Sequence, residues 1–296
     1  MFDDFTLETV PVGEVRLRVR HGGQGPPLLL LHGHPRTHMT WHHVADLLSD
    51  SFTVVCPDLR GYGLSSKPAE TPGHGAYSKR AMAGDVVELM RMLGHDRFAV
   101  AGHDRGAYVA QRLALDHPAA VSRLVVLDGV PIGEALARSD ARFASTWWHW
   151  FFLGQTEKPA EPLICADPLA WYQISDKHMG AAAYADLAAV LTNPETVHAM
   201  CEDYRAGLTV DRRADDADQA AGRRIACPVL FCYAAGDGHT TGEMVALYGD
   251  PGAIWRDWAD DVRVATIDSG HHMAEEAPEQ LASTLREFLL PTPAGM

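Results

Sequence analysis

Apolar residues recur at every second position near the start of the chain, first at Val10 and Val12, then at Val15, Leu17 and Val19. A period of two places them on one face of a strand, so residues 5–20 are expected to form an antiparallel hairpin at a sheet edge. The pattern then changes. Pro27-Leu28-Leu29-Leu30-Leu31 is a continuous apolar run ending in His32-Gly33-His34-Pro35, as expected of a parallel strand buried on both faces. Similar runs follow at Phe52–Cys56, Phe98–Ala101, Leu124–Leu127, Val229–Tyr233 and Val262–Ile267. Amphipathic helical stretches separate them, for instance 79–94 and 107–116. A final helix is expected over 275–290, with Glu275, Glu276 and Pro278 in its first turn, where acid and proline are favoured. Strands alternating with helices predict an α/β fold: a mostly parallel central sheet flanked by helices.

The alternation breaks between about 135 and 215. Trp147-Trp148-His149-Trp150-Phe151-Phe152, then Trp171-Tyr172, then a helical run over 180–206 fill the interval between the fourth and fifth central runs. This predicts an inserted helical cap over 136–215, with the core domain formed by 1–135 and 216–296. The tail Pro291–Met296 reads as frayed.

Composition narrows the function. With 25 basic and 39 acidic residues the net charge is −14, which argues against nucleic acid or anionic membrane as a partner. Five scattered cysteines, none at CxxC spacing, read as reduced thiols and not as a disulfide, zinc or redox framework. The acidic start and the lack of a long apolar run predict a cytoplasmic protein without signal or membrane span. No metal or cofactor is expected. His38, His42 and His43 read as solvated or helix-face residues, and Asp58 and Arg60 as loop-shaping ones. Pairing into a homodimer is left open.

In open parallel sheets, ligands bind beyond the carboxyl ends of the strands, and four predicted strand ends carry reactive side chains. Gly102-His103-Asp104-Arg105-Gly106 follows the run Phe98–Ala101 with small residues around a central Asp104, the spacing of a nucleophile elbow. A carboxylate there, in place of serine, suits displacement at saturated carbon over attack on esters. The backbone amides of His34 and Arg105 are candidates for an oxyanion hole. His271, beyond the last run, is the candidate base. The acid that orients it is Asp128 or Asp237, each at the end of a strand.

On these motifs, with Asp58-Leu59-Arg60-Gly61-Tyr62-Gly63-Leu64-Ser65 and Gly270-His271-His272-Met273-Ala274-Glu275-Glu276, the chain resembles the α/β-hydrolase family. Within it, Arg105 and the segment His149-Trp150-Phe151-Phe152-Leu153 resemble the haloacetate (fluoroacetate) dehalogenases. The resemblance implies an α/β-hydrolase fold and a triad of Asp104, Asp128 and His271. It also implies a halide pocket of His149, Trp150 and Tyr204. The implied reaction is hydrolytic dehalogenation of short 2-haloacids through an aspartyl ester, with a small organohalide acid as the substrate partner.

Attack by one anion on a carbon bearing another requires a cation to hold the substrate, the role expected of Arg105. The family usually carries a second arginine where this chain has Tyr108, and Arg36 is the candidate to replace that charge. An epoxide hydrolase sharing the Asp104/His271 machinery, with Tyr204 and Tyr172 as proton donors, is the competing enzyme reading. A non-catalytic ligand sensor is the competing reading from another class.

Overall fold

A computed structural model describes residues 2, 4–236 and 243–290. Eight strands form a single sheet: β1 (Thr6–Val12), β2 (Val15–Gly23), β3 (Pro27–Leu31), β4 (Thr53–Pro57), β5 (Phe98–His103), β6 (Val121–Leu127), β7 (Val229–Ala234) and β8 (Val262–Ile267). Their order is β1-β2-β4-β3-β5-β6-β7-β8. β2 runs antiparallel to both β1 and β4, and every other pairing is parallel. The hairpin expected from the alternating pattern is thus the β1–β2 edge. Leu28–Leu31 are fully buried in β3 at the centre of the sheet, as a strand covered by helices on both faces demands.

Three expectations need correction. β8 is the far edge of the sheet and is largely solvated: Val264 is 39% exposed, so this run is not a buried strand. The helical run over 180–206 is two helices, Ala181–Leu191 and Pro194–Ala206. Pro194 lacks the amide that would continue a helix, and Asn193 caps the second one, its side chain accepting from Glu195 N at 3.0 Å. The last helix is likewise broken, into Met273–Glu276 and Pro278–Leu289, at Ala277 before Pro278.

Between β6 and β7 the described chain from Ile132 to Ala220 contains helices and no strand. Pro194–Ala206 runs on through one π-helical segment, Gly207–Asp211, into Arg212–Ala220. His38 and His42 are buried and not solvated: His38 Nδ1 lies 2.8 Å from Asp58 Oδ1 and His42 Nδ1 2.7 Å from the Met39 carbonyl. Arg60 places Nε and Nη2 on Asp85, each at 2.6 Å. Among the described residues no helix is long and apolar enough to cross a membrane. Pro291–Met296, expected to be frayed, and Asp237, the alternative acid, lie outside the described residues.

Candidate active site

β5 delivers Asp104 through a turn in which a non-glycine residue takes φ +51° and ψ −117°, a sparsely populated conformation that surrounding structure must enforce. The enforcement is visible. The Asp104 amide donates to the Leu127 carbonyl at 3.2 Å, and Ala107 N donates to the Asp104 carbonyl at 3.0 Å. A side chain at Gly102 would collide with the Gly106 carbonyl, and one at Gly106 with the backbone of β3. These two small positions therefore let strand and helix meet at this angle. The Asp104 carboxylate makes no hydrogen bond to the helix it precedes, so it is not a helix cap.

Its Oδ1 instead accepts from the His34 backbone amide at 2.7 Å. Burial pushes the Asp104 carboxyl up. The charges of His271, His103 and Arg105 and the His34 amide outweigh that push, and the group sits below its ordinary value. His271 Nε2 is 3.9 Å from Asp104 Oδ2, and its Nδ1 is 2.6 Å from Asp128 Oδ2. Asp128, just past β6 and also at positive φ (+52°), has its other oxygen fixed by Ala234 N at 3.1 Å. Burial lowers the His271 pKa, but the hydrogen bond and charge of Asp128, then the charge of Asp104, raise it to about 9. At neutral pH the resting imidazole is therefore protonated, between two carboxylates.

The cavity above Asp104 has a volume of about 230 Å³ and is lined by Asp128, His149, Trp150, Tyr204 and His271, among others. Burial keeps His149 neutral, with a pKa lowered to about 4, and His34 likewise at about 3. A second, outer cavity of about 390 Å³ shares His34 and His149 as walls and adds Trp148, Trp171 and Tyr172. Tyr172 thus lies away from the nucleophile.

The two arginines stand differently from the expectation. Arg36 does not line the cavity: its Nε and Nη2 lie 2.9 and 3.0 Å from the two oxygens of Glu275, a pairing that satisfies the guanidinium within the protein. Arg105 is buried beneath the cavity wall, with its guanidinium carbon 4.2 Å from the Tyr204 ring centre. Its Nε and Nη2 bond Asp203 at 3.0 and 3.1 Å, and Nη1 has no hydrogen-bond partner among the described residues. Asp203 also accepts from Lys79 Nζ and, at 2.6 Å, from the Tyr62 hydroxyl. Burial pushes the Asp203 carboxyl up, but the Arg105 and Lys79 charges prevail and hold it well below the carboxylate range.

Sequence reasoning missed this network, although Asp203 directly precedes Tyr204. It also missed Glu243, which lines the cavity and accepts from Trp147 Nε1 at 2.8 Å. His103, His271 and His272 bring ligand atoms close enough to hold a metal ion. His103 Nε2 is 2.7 Å from the His271 carbonyl and His271 Nδ1 2.6 Å from Asp128 Oδ2, so one nitrogen of each ring is already hydrogen-bonded within the protein.

An aspartate elbow, an acid-oriented histidine and a backbone donor at the carboxyl ends of a parallel sheet define a hydrolase of the α/β type. A profile of the alpha/beta hydrolase fold matches residues 26–278, and the chain belongs to that family. It is 40% identical to a fluoroacetate dehalogenase from a Burkholderia species, across 100% of this chain and 97% of that protein. It is 31% identical to a soluble epoxide hydrolase from Corynebacterium sp. strain C12, across 98% and 99% of the two chains. A solved structure from Nostoc sp PCC 7120, ascribed to the alpha/beta hydrolases, superposes with a TM-score of 0.93 at 42% identity, covering 99% of this chain and all of that one.

Proposed function

We propose that this hydrolase removes halide from short 2-haloacids such as haloacetate, with Asp104 as nucleophile. One Asp104 oxygen bonds to the halogen-bearing carbon as the carbon–halogen bond breaks, and the bonding pair leaves with the halide. His149, Trp150 and Tyr204 line the same cavity and carry N–H and O–H donors for the departing anion. Water then attacks the Asp104 carboxyl carbon while His271 takes its proton, and the 2-hydroxyacid departs with the carboxylate restored. The His34 amide, already on Oδ1, and that of Arg105 receive the developing oxyanion. The positive charge that favours the substrate carboxylate is assigned to Arg105, acting through its field from behind the Tyr204 ring, and the helical insertion serves as the cap that excludes water.

The observation that carries this reading is Asp104 itself, held ionised at a strained elbow and capping no helix, with His271 Nε2 3.9 Å away. The 40% identity to a fluoroacetate dehalogenase supports the carbon–halogen substrate. The test is halide release from fluoro-, chloro- and bromoacetate and 2-chloropropionate, with a single turnover in heavy-oxygen water. The label must appear in Asp104; its absence overturns the covalent route.

A second reading is supported by Tyr108 and Tyr204, which both line the cavity, and by the epoxide hydrolase relative. Two phenols facing an aspartate could protonate the oxygen of an opening epoxide. Diol formation from styrene oxide without halide release from chloroacetate would favour it.

A further inference from the structure

We propose that the cavity also dehalogenates neutral 2-haloamides such as chloroacetamide, with an efficiency comparable to that for the acid anion. The inference rests on the dehalogenase reading and concerns what the cavity asks of the acyl group. Among the described residues, the side chains lining it include the carboxylates of Asp104, Asp128 and Glu243 and no lysine or arginine. The nearest guanidinium, that of Arg105, spends Nε and Nη2 on Asp203 and keeps one nitrogen, Nη1, unpartnered and buried.

On the first turn of the helix that Arg105 begins, Tyr108 lines the cavity and is buried beside Trp150, ring centres 5.9 Å apart. A phenol donates to a neutral carbonyl oxygen as well as to a carboxylate oxygen, and its preference for the anion is that of one charge-assisted bond, without the Coulomb attraction a guanidinium would add. Specificity for an anion depends on unscreened positive charge at the acyl group, and here that charge is already shared with Asp203. An amide offers the same carbonyl oxygen to Tyr108, which lines the cavity. Its NH2 meets the surrounding carboxylates as a donor, where the acid would bring a third anion toward Asp104 and Glu243.

The step balances as for the acid. Asp104 forms an O–C bond, the C–X bond breaks with its pair leaving as halide, and water hydrolyses the ester to release 2-hydroxyacetamide. The amide bond is untouched and no ammonia forms.

The experiment measures halide and ammonia release from chloroacetamide and chloroacetate with the full chain, using Asp104→Asn to subtract alkylation of the free thiols. The expected result is an amide-to-acid ratio of kcat/KM above 0.1, halide without ammonia, and a fivefold or greater loss of amide turnover in Tyr108→Phe, which keeps the ring packing. In Tyr108→Arg the ratio should fall at least tenfold toward the acid. A wild-type ratio below 0.1, ammonia in step with halide, or full amide turnover in Tyr108→Phe overturns the inference while leaving the dehalogenase reading standing. Halide from neither substrate removes both.

Discussion

Gly33→Ala is the sharpest perturbation the site allows, because it places one carbon between the loop after β3 and the nucleophile. A Cβ built on Gly33 would lie 2.5 Å from both Cβ and Oδ1 of Asp104. Ordinary carbon contacts sit at about 3.5–4.0 Å, so loop and elbow must part by about 1 Å. The His34 amide to Asp104 Oδ1 bond, now 2.7 Å, would then stretch beyond about 3.5 Å and cease to be one. Loss of a charge-assisted bond costs about 1.5–3 kcal/mol. At about 1.4 kcal/mol per decade of rate this is roughly a 10- to 150-fold loss, and misplacing the reacting atoms by about 1 Å carries a similar penalty. The prediction is a fall in kcat/KM for chloroacetate of about 100-fold, with a stability loss of about 1–3 kcal/mol from overpacking. Halide release and denaturant melts measure the two separately. A variant within threefold of wild type in kcat/KM would refute the reasoning, because the loop would then have yielded without disturbing the nucleophile.

Asp104→Asn removes the charged nucleophile and should lower halide release by at least about 10⁴-fold with the melting temperature nearly unchanged; residual turnover above that level would point to another nucleophile. His271→Ala should still release one equivalent of halide and then accumulate a covalent adduct on the Asp104 peptide, visible by mass spectrometry; multiple turnovers would show that another base serves. Arg36→Met should leave KM for chloroacetate within about twofold while costing about 3 kcal/mol of stability, since Glu275 is left buried without its guanidinium; a large rise in KM at unchanged stability would restore Arg36 to the substrate site. The His271 pKa is raised to about 9, so its contribution to folding is complete below its unfolded value of about 6.5. It is lost as pH rises through about 9, and wild type should lose stability over that window relative to His271→Ala. A constant difference between the two across the window would contradict the assignment of the imidazolium.

The parts of the molecule legible in the sequence are those where pattern and geometry coincide. A run such as Pro27–Leu31 can be buried on both faces only at the centre of a sheet, and the residues just past it must then stand at the ligand-binding edge. Asp104 was found by that reasoning, His271 by its place after the last apolar run, and Asp128 was preferred to Asp237 on the family resemblance; the structure brings the three within hydrogen-bonding and near-contact distances of one another. Val262–Ile267 was misjudged because its apolar positions are those of a strand, while its place at the sheet edge is decided by the order of the other seven. The break at Asn193-Pro194 was legible in principle: an N-cap followed by proline is a start signal, and a run of helix formers on either side masked it. Arg36 and Arg105 could not be placed from sequence at all. A guanidinium reaches over several ångströms, and whether it meets substrate or a buried Asp203 or Glu275 depends on residues roughly 100 and 240 positions away.

The charges around Asp104 also impose an order on the proposed steps. In the resting enzyme His271 holds a proton because Asp128 and Asp104 both stabilise it, so it cannot then deprotonate water, and the nucleophile remains free for the halogen-bearing carbon. Esterification of Asp104 deletes one of those two anions. The imidazolium loses that support while the Asp128 bond at 2.6 Å keeps the ring in place, and the His271 pKa must fall below its resting value. A base thus emerges only once there is an ester to hydrolyse. Arg105, paired on Asp203, adds to the field that keeps Asp104 ionised without competing for the proton. Under this ordering, the rate of ester hydrolysis in a single turnover rises with pH through a midpoint lower than the one that governs the free enzyme, whereas the halide burst that precedes it stays flat over the same range.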